Sequence, residues 1–247
     1  MAMIRFCRFV FVLMILGPID AVAQPPSDDP VEGPWSGTAE VSLIATSGNS
    51  DTRTFALGAE VTYDPGAWRW LGRISYVETD ADDQLKARSE SALVEMSRPL
   101  AERLEAYARG GYLRDLFAGI ERRLTTEGGL AYMVIATDPQ SLQLLAGFGF
   151  TREQRMVGDA LSLGTANATG RYRWAVSETS ALTEEASFVA DLNTGDNWRF
   201  TNEVAITAAV GARLSLKVSH KLSHLNRPVP GFRKTDTILA AAMVANF

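Results

Sequence analysis

Apolar side chains recur at every second residue in segment after segment of this chain, and the last such segment ends on the terminal residue: Leu239, Ala241, Met243, Ala245 and Phe247. A period of two belongs to a strand whose faces meet different surroundings. The second segment shows the pattern well. Arg53, Phe55, Leu57, Ala59, Val61 and Tyr63 share one face, and Thr52, Thr54, Ala56, Gly58, Glu60 and Thr62 the other. A carboxylate such as Glu60 is costly against hydrocarbon, so its face is expected to line an interior and the apolar face to meet lipid. A chain that stops on an aromatic directly after an alternating strand reads as an all-β protein, a 12-stranded antiparallel transmembrane β-barrel.

The N-terminus agrees. Arg5 and Arg8 precede the apolar run Phe9 to Leu16, and Ala21-Val22-Ala23 is an A-x-A cleavage site, so residues 1–23 read as a signal peptide. The run is far shorter than the roughly 20 residues a spanning helix needs. The single cysteine, Cys7, lies inside this leader, so the mature chain is expected to hold no disulfide and no thiolate site. Cleavage removes two arginines and one aspartate and moves the formal net charge from −5 to −6. An acidic chain of this kind lacks the basic face that nucleic acid calls for. Mean hydropathy is −0.02, as expected where lipid-facing and inward residues alternate. Residues 24–34 are rich in proline and acid and read as a disordered periplasmic lead-in to a barrel over 35–247.

Tight turns are expected at Asp64-Pro65-Gly66, Arg98-Pro99, Asp138-Pro139 and Val210-Gly211, alternating with longer connections at 47–51, 79–84, 115–120, 153–160, 191–197 and 226–235. An even strand number puts both termini on one side, expected to be the periplasm, in a bacterial cell outer membrane. Trp35, Tyr63, Trp68, Trp70, Tyr132, Trp174 and Phe247 then fall at one interface, and Tyr76, Tyr112, Phe150, Trp198 and Phe200 at the other. Two places resist the pattern. Lys86, Arg88 and Glu90 share parity with Ala92, Val94 and Met96, which predicts a β-bulge near Glu90–Ala92. Leu100 to Tyr107 also admits a short helical reading.

Several motifs bear a family likeness: Trp35-x-Gly37, Ser47-Gly48-Asn49-Ser50-x-Thr52, Asp115-x-Phe117-Ala118-Gly119-Ile120-x-x-Arg123, Gly128-Gly129-x-Ala131-Tyr132, and Lys234-Thr235-Asp236-Thr237 before Phe247. In order and spacing the chain resembles the salt-induced outer-membrane proteins, a domain named mainly for its unknown function. The resemblance implies one outer-membrane barrel without a settled activity and supplies no catalytic residues.

Enzyme chemistry finds little footing. The only histidines are His220 and His224. By parity both face lipid, while Ser219 and Ser223 point the other way, and neighbours on one strand cannot aim at each other. Histidines four apart on a strand lie roughly 13 Å apart, too far for one metal ion. No cofactor is expected. The inward charges by parity are Glu40, Glu60, Arg69, Arg73, Arg109, Arg123, Glu127, Arg171, Arg173, Glu185, Glu203, Lys217 and Lys221. A round twelve-stranded barrel has a backbone radius of roughly 12 Å, which leaves a passage of about 10 Å at most. No extracellular connection is expected to be long enough to fold inward as a large constriction, and the surplus of Arg and Lys would favour anions.

Three functions follow as expectations. The first is a non-enzymatic narrow polar pore or envelope-integrity protein linked to salt or osmotic stress. The second is an adhesion or assembly module that uses acidic loops such as Asp80, Asp82 and Asp83. The third is a lipid hydrolase. Expected partners are outer-membrane lipid, lipopolysaccharide, and the barrel-assembly machinery through the strand ending at Phe247.

Overall fold

The computed structural model describes residues 33–46, 52–81 and 84–247. The leader over 1–23, most of the lead-in over 24–34, the turn at 47–51, and Asp82 and Asp83 lie outside the described residues. The strands are β1 (Trp35–Thr46), β2 (Thr52–Tyr63), β3 (Arg69–Ala81), β4 (Gln84–Ala101), β5 (Leu104–Asp115), β6 (Ile120–Ala136), β7 (Gln140–Arg155), β8 (Leu161–Ser177), β9 (Ser180–Asp191), β10 (Trp198–Ala209), β11 (Leu214–Leu225) and β12 (Thr235–Asn246). Each pairs antiparallel with its neighbours in sequence, and β1 pairs with β12, so the sheet is a closed twelve-stranded antiparallel barrel. Trp35 and Phe247 sit at one end, called here the terminal end; the other is the distal end.

One face of each strand except β5, which exposes only Ala108 and Gly110, carries large exposed apolar groups, among them Leu43, Leu57, Ile74, Val94, Leu130, Leu144, Phe148, Ile206, Leu216, Val218 and Leu239. Water does not tolerate a continuous girdle of this size, and a bilayer requires it. The barrel therefore spans a membrane. At the terminal end Trp35 packs on Tyr63, with ring centroids 4.3 Å apart, and Arg98 lies over the Trp68 ring at 5.2 Å. At the distal end Trp198 stacks on His224 at 5.0 Å. In the Asp64-Pro65-Gly66 turn, Arg69 donates to the Asp64 carboxylate at 2.8 Å and holds its pKa below the ordinary range.

The closing seam is short. β1 and β12 share four paired rows, from Thr38↔Asn246 to Val41↔Met243. Gly37 and Phe247 extend it with reciprocal amide–carbonyl bonds of 2.8 and 3.0 Å. The Ser42 hydroxyl adds a 2.6 Å bond to the Ala241 carbonyl. Beyond these, Leu43 to Thr46 of β1 pair only with β2 among the described residues.

Two irregularities differ from the sequence expectation. The bulge falls at Lys86, between the pairs Thr79↔Ala87 and Asp80↔Leu85, and the alternation from Arg88 to Met96 is unbroken. Arg88 and Glu90 are thus genuinely outward. They sit at the distal rim, where Arg88 pairs with Glu78 at 3.0 Å, and headgroup water makes charge affordable. The segment from Leu100 to Tyr107 is strand, two-residue turn and strand rather than helix, and Arg98-Pro99 is not the turn. Pro99 stays in β4 opposite Glu105, and the register shift between Pro99 and Ala101 absorbs the missing amide donor.

Gly129 and Gly147 face each other on β6 and β7. A Cβ on Gly129 would stand 2.1 Å from the Ala146 carbonyl oxygen, so these strands approach too closely for any side chain there. Gly129→Val is expected to destabilise the barrel by about 2 kcal/mol or more, read as a lowered urea midpoint for the protein refolded in lipid vesicles.

Candidate functional site: the charged lumen

Contacts that cross the barrel identify its inner face. Arg73 lies 3.6 Å from Glu185, six strands away around the sheet. Arg171 meets Glu95, four strands away, at 2.8 Å. The Tyr107 hydroxyl donates to Asn167 Oδ1 at 2.9 Å, three strands away. Register then carries the inner face around the sheet. Glu60 opposes Arg73, Arg109 stands between Glu95 and Glu127, and Arg123 opposes Glu153. Arg171, Glu185, Glu203 and Lys221 form one continuous row. Glu40, Arg69, Arg173 and Lys217 share this face by parity.

These charges sort into groups. The central one is a chain of ion pairs across the lumen. Glu60 binds Arg73 at 2.7 Å, and Arg73 approaches Glu185. Glu185 accepts from Arg171 at 3.2 Å. Arg171 forks onto Glu95 through two parallel bonds of 2.9 and 2.8 Å. Glu95 also meets Arg109 at 2.6 Å, and Arg109 comes within 2.9 Å of Glu127. The last contact is close in distance without hydrogen-bond alignment. The bidentate fork is the strong geometry for a guanidinium and a carboxylate. A second cluster, nearer the distal end, joins Arg123 and Arg155 to Glu153, each at 2.6 Å. A third holds Lys217 Nζ between Glu40 at 3.0 Å and Glu203 at 3.4 Å. At the terminal mouth Arg69 binds Asp64 and reaches Glu105 at 3.5 Å. Arg173 and Lys221 are exposed and form no ion pair among the described residues.

The Arg73–Glu185 contact also fixes the shape. Extended, arginine reaches about 7 Å from its Cα and glutamate about 4 Å, so these opposite strands stand no more than about 15 Å apart. A round barrel would hold them about 24 Å apart. The cross-section is therefore flattened. Its two walls differ in solvent access. The side chains of Glu95 and Arg109 are 8% and 10% exposed, whereas those of Arg73 and Glu203 are 41% and 40% exposed. Tyr107, Ala131 and Leu145 form a buried inward cluster on the packed side, β4 to β8. Water reaches the other side, where Glu40, Glu60 and Glu203 face Arg73, Lys217 and Lys221. Three acids and three bases thus face one another on this side.

The distal mouth carries a strap. The connection over 226–234 buries Val229 to 1% exposure against Ala118 and Ile120, with Leu225 and Phe232 packed beside them. Ala118 and Ile120 flank the β5–β6 turn, six strands from β11–β12. Gly119 has φ +72°, and the Phe232 ring occupies the space its Cβ would need. Arg227 ties the strap to Asp196 at 2.6 Å. A nine-residue connection is thus long enough to cross the mouth, contrary to the expectation from length, because the β5–β6 turn supplies an apolar landing.

Sequence reasoning missed Glu95, Glu153, Arg155 and Arg199. Arg199 shares parity with Glu203, and Glu153 and Arg155 continue the parity of Gln143, so periodicity carries these signals; the connection expected over 153–160 starts later, because β7 runs on to Arg155. Glu95 has the opposite parity to Val94 and Met96, so the alternation carries its signal too. His220 and His224 lie on the outer face, and His224 Nδ1 is 2.7 Å from Thr235 Oγ1 rather than near a serine of β11. Among the described residues no three metal-ligating side chains converge.

The family described as "Protein of unknown function, DUF481" matches residues 39–247. The chain belongs to this family. A comparison with curated proteins finds no match. Among solved structures, the NanC porin is similar over 86% of this chain and 97% of its own, at 10% identity and TM-score 0.46. The KdgM porin in complex with disordered oligogalacturonate is similar over 86% and 99%, at 8% identity and TM-score 0.46. The translocator domain of the autotransporter NalP from Neisseria meningitidis is similar over 86% and 87%, at 11% identity and TM-score 0.46. At these values the likeness bears no functional weight.

Glu95 is the carboxylate that two guanidiniums share in a dry setting. Glu95→Gln leaves both short of a counter-charge and is expected to cost about 3 kcal/mol of stability, measured as the urea unfolding midpoint of the refolded barrel.

Proposed function

We propose that this protein is a non-enzymatic outer-membrane barrel that forms a narrow, eccentric polar pore, roofed at its distal end by the strap. The observation that carries this is the unequal solvent access of the lumen. Ion pairs close the β4–β8 side, and water wets the charges of the β10–β12 and β1–β3 side. With balanced charge along it, the passage is weakly selective among ions.

In the proposed orientation the termini face the periplasm and the strap faces outside. One feature of the rim supports this. Arg114, Arg122 and Arg152 lie at the distal ends of their strands on the outward face, one step beyond Tyr112, Leu124 and Phe150. That is the height at which phosphates of lipopolysaccharide would meet guanidinium groups. β12, with Phe247 at its end, is the proposed signal for the barrel-assembly machinery. The link to salt or osmotic stress, and a role in envelope integrity, rest on the family resemblance. They predict that a deletion strain grows more slowly than its parent in high salt, and equal growth curves would remove them.

Planar-bilayer recording of the refolded barrel tests the pore. Small, brief conductance steps are expected from the native chain. Gly119→Val displaces Phe232, frees the strap, and is expected to raise unitary conductance several-fold. Absence of steps from both proteins would leave the barrel a closed, stapled body.

A further inference from the structure

Beneath the strap, the distal lumen holds a small pocket. Four arginines and two acids line it, and most of that charge is already spoken for. Glu153 is shared by Arg123 and Arg155, each at 2.6 Å. Asp191 accepts from the Asn193 amide at 2.9 Å and from Asn197 Nδ2 at 3.2 Å, within its own turn. Arg227 is held by Asp196. Arg199 is left over. Its guanidinium donates to Thr151 Oγ1 at 3.4 Å, and among the described residues it forms no ion pair.

A guanidinium partly withdrawn from water without a counter-charge is costly, and the carboxylates around it are engaged elsewhere: Glu153 by Arg123 and Arg155, Glu127 beside Arg109, and Asp191 within its own turn. A group of this kind calls for an anion. The pocket also states what kind, because Leu163, Val189 and Leu225 line it with apolar surface. An inorganic ion finds nothing to gain from such walls, whereas a carboxylate on a short hydrocarbon stem satisfies both parts of the pocket.

We propose that this pocket is a binding site for small organic carboxylates, with Arg199 as the principal ligand in a bidentate grip and Arg123 and Arg155 adding positive potential. The site deepens the pore reading and rests on it for access, since a solute that passes the strap meets Arg199 before the central ion pairs. It gives a weakly selective channel a point of chemical choice.

Isothermal titration calorimetry on the refolded full-length mature chain in detergent micelles tests it, with butyrate as probe and inorganic phosphate and chloride as comparisons at matched ionic strength. Saturable binding of butyrate, stronger than that of phosphate, is expected. Arg199→Gln is expected to weaken it by roughly tenfold or more, and Arg199→Lys, which keeps the charge and loses the fork, by less. Arg173→Gln, at the other mouth, is expected to bind as the parent does. Because Arg199 holds no carboxylate, its replacement spares the fold, and heat-dependent gel mobility checks this directly. Equal binding of butyrate and phosphate, no saturable binding of butyrate, or an unchanged Arg199→Gln titration would each overturn the proposal. Binding needs no conduction. A silent barrel that still binds butyrate through Arg199 sinks the pore alone, and a conducting barrel that does not bind it sinks the site alone.

Discussion

Hydrocarbon leaves a backbone amide no alternative partner, and the closed ladder of hydrogen bonds is how this chain meets that demand. Everything else in the molecule follows from closure. It divides the side chains into an outer set and an inner set, and it forces the inner set to face one another. In an open sheet the inward arginines and glutamates would turn to water. Enclosed, they pair: Arg73 reaches Glu185 across the barrel, and Arg171 forks onto Glu95. Each cross-lumen pair then acts on the ladder that created it, drawing opposite walls together and flattening the cylinder.

The flattening explains why one side of the interior is dry and the other wet. Glu95 gathers Arg109 and Arg171 at the packed side, beside Tyr107 and Leu145. Lys217, Glu40 and Glu203 sit opposite, the two carboxylates well exposed and the amine partly so. Buried ion pairs are a poor source of net stability, because desolvation offsets much of the attraction. Their role in this barrel is to define shape: a directional fork holds two walls at one spacing, as a greasy interior would not. The strap works differently. Val229 and Phe232 hold it by apolar contact with Ile120 and Gly119, which resists salt and tolerates sliding.

Much of this architecture was legible in the residues. Period-two alternation specifies strands and their two faces, because a one-residue slip would put Glu60 or Arg73 into lipid. Where a strand departs from that period, the signal fails for a local reason. The bulge at Lys86 could not be placed, because Arg88 and Glu90 look inward to a reader who does not know that the rim tolerates charge. Pro99 resembles a turn and is a strand residue, because the adjacent shift removes the need for its donor. The strap was invisible for a deeper reason. Its hold depends on a turn more than a hundred residues away, and no local pattern links Phe232 to Gly119. Arg199 was visible as a residue, but its solitude is a property of three dimensions alone.

The brief seam bears on the lipid around the protein. Above Val41, among the described residues, the edges of β1 and β12 carry peptide groups that pair with no partner across the seam, apart from the Ala241 carbonyl that Ser42 caps. Each such group immersed in acyl chains costs several kcal/mol. Opposite this meridian, β6 and β7 stay paired from Ile120↔Arg155 to Ala136↔Ser141. Acyl chains can stand tall against that side and must shorten or splay at the cleft. The barrel thus sits in a lopsided annulus, with a dimple in the leaflet beside its first and last strands.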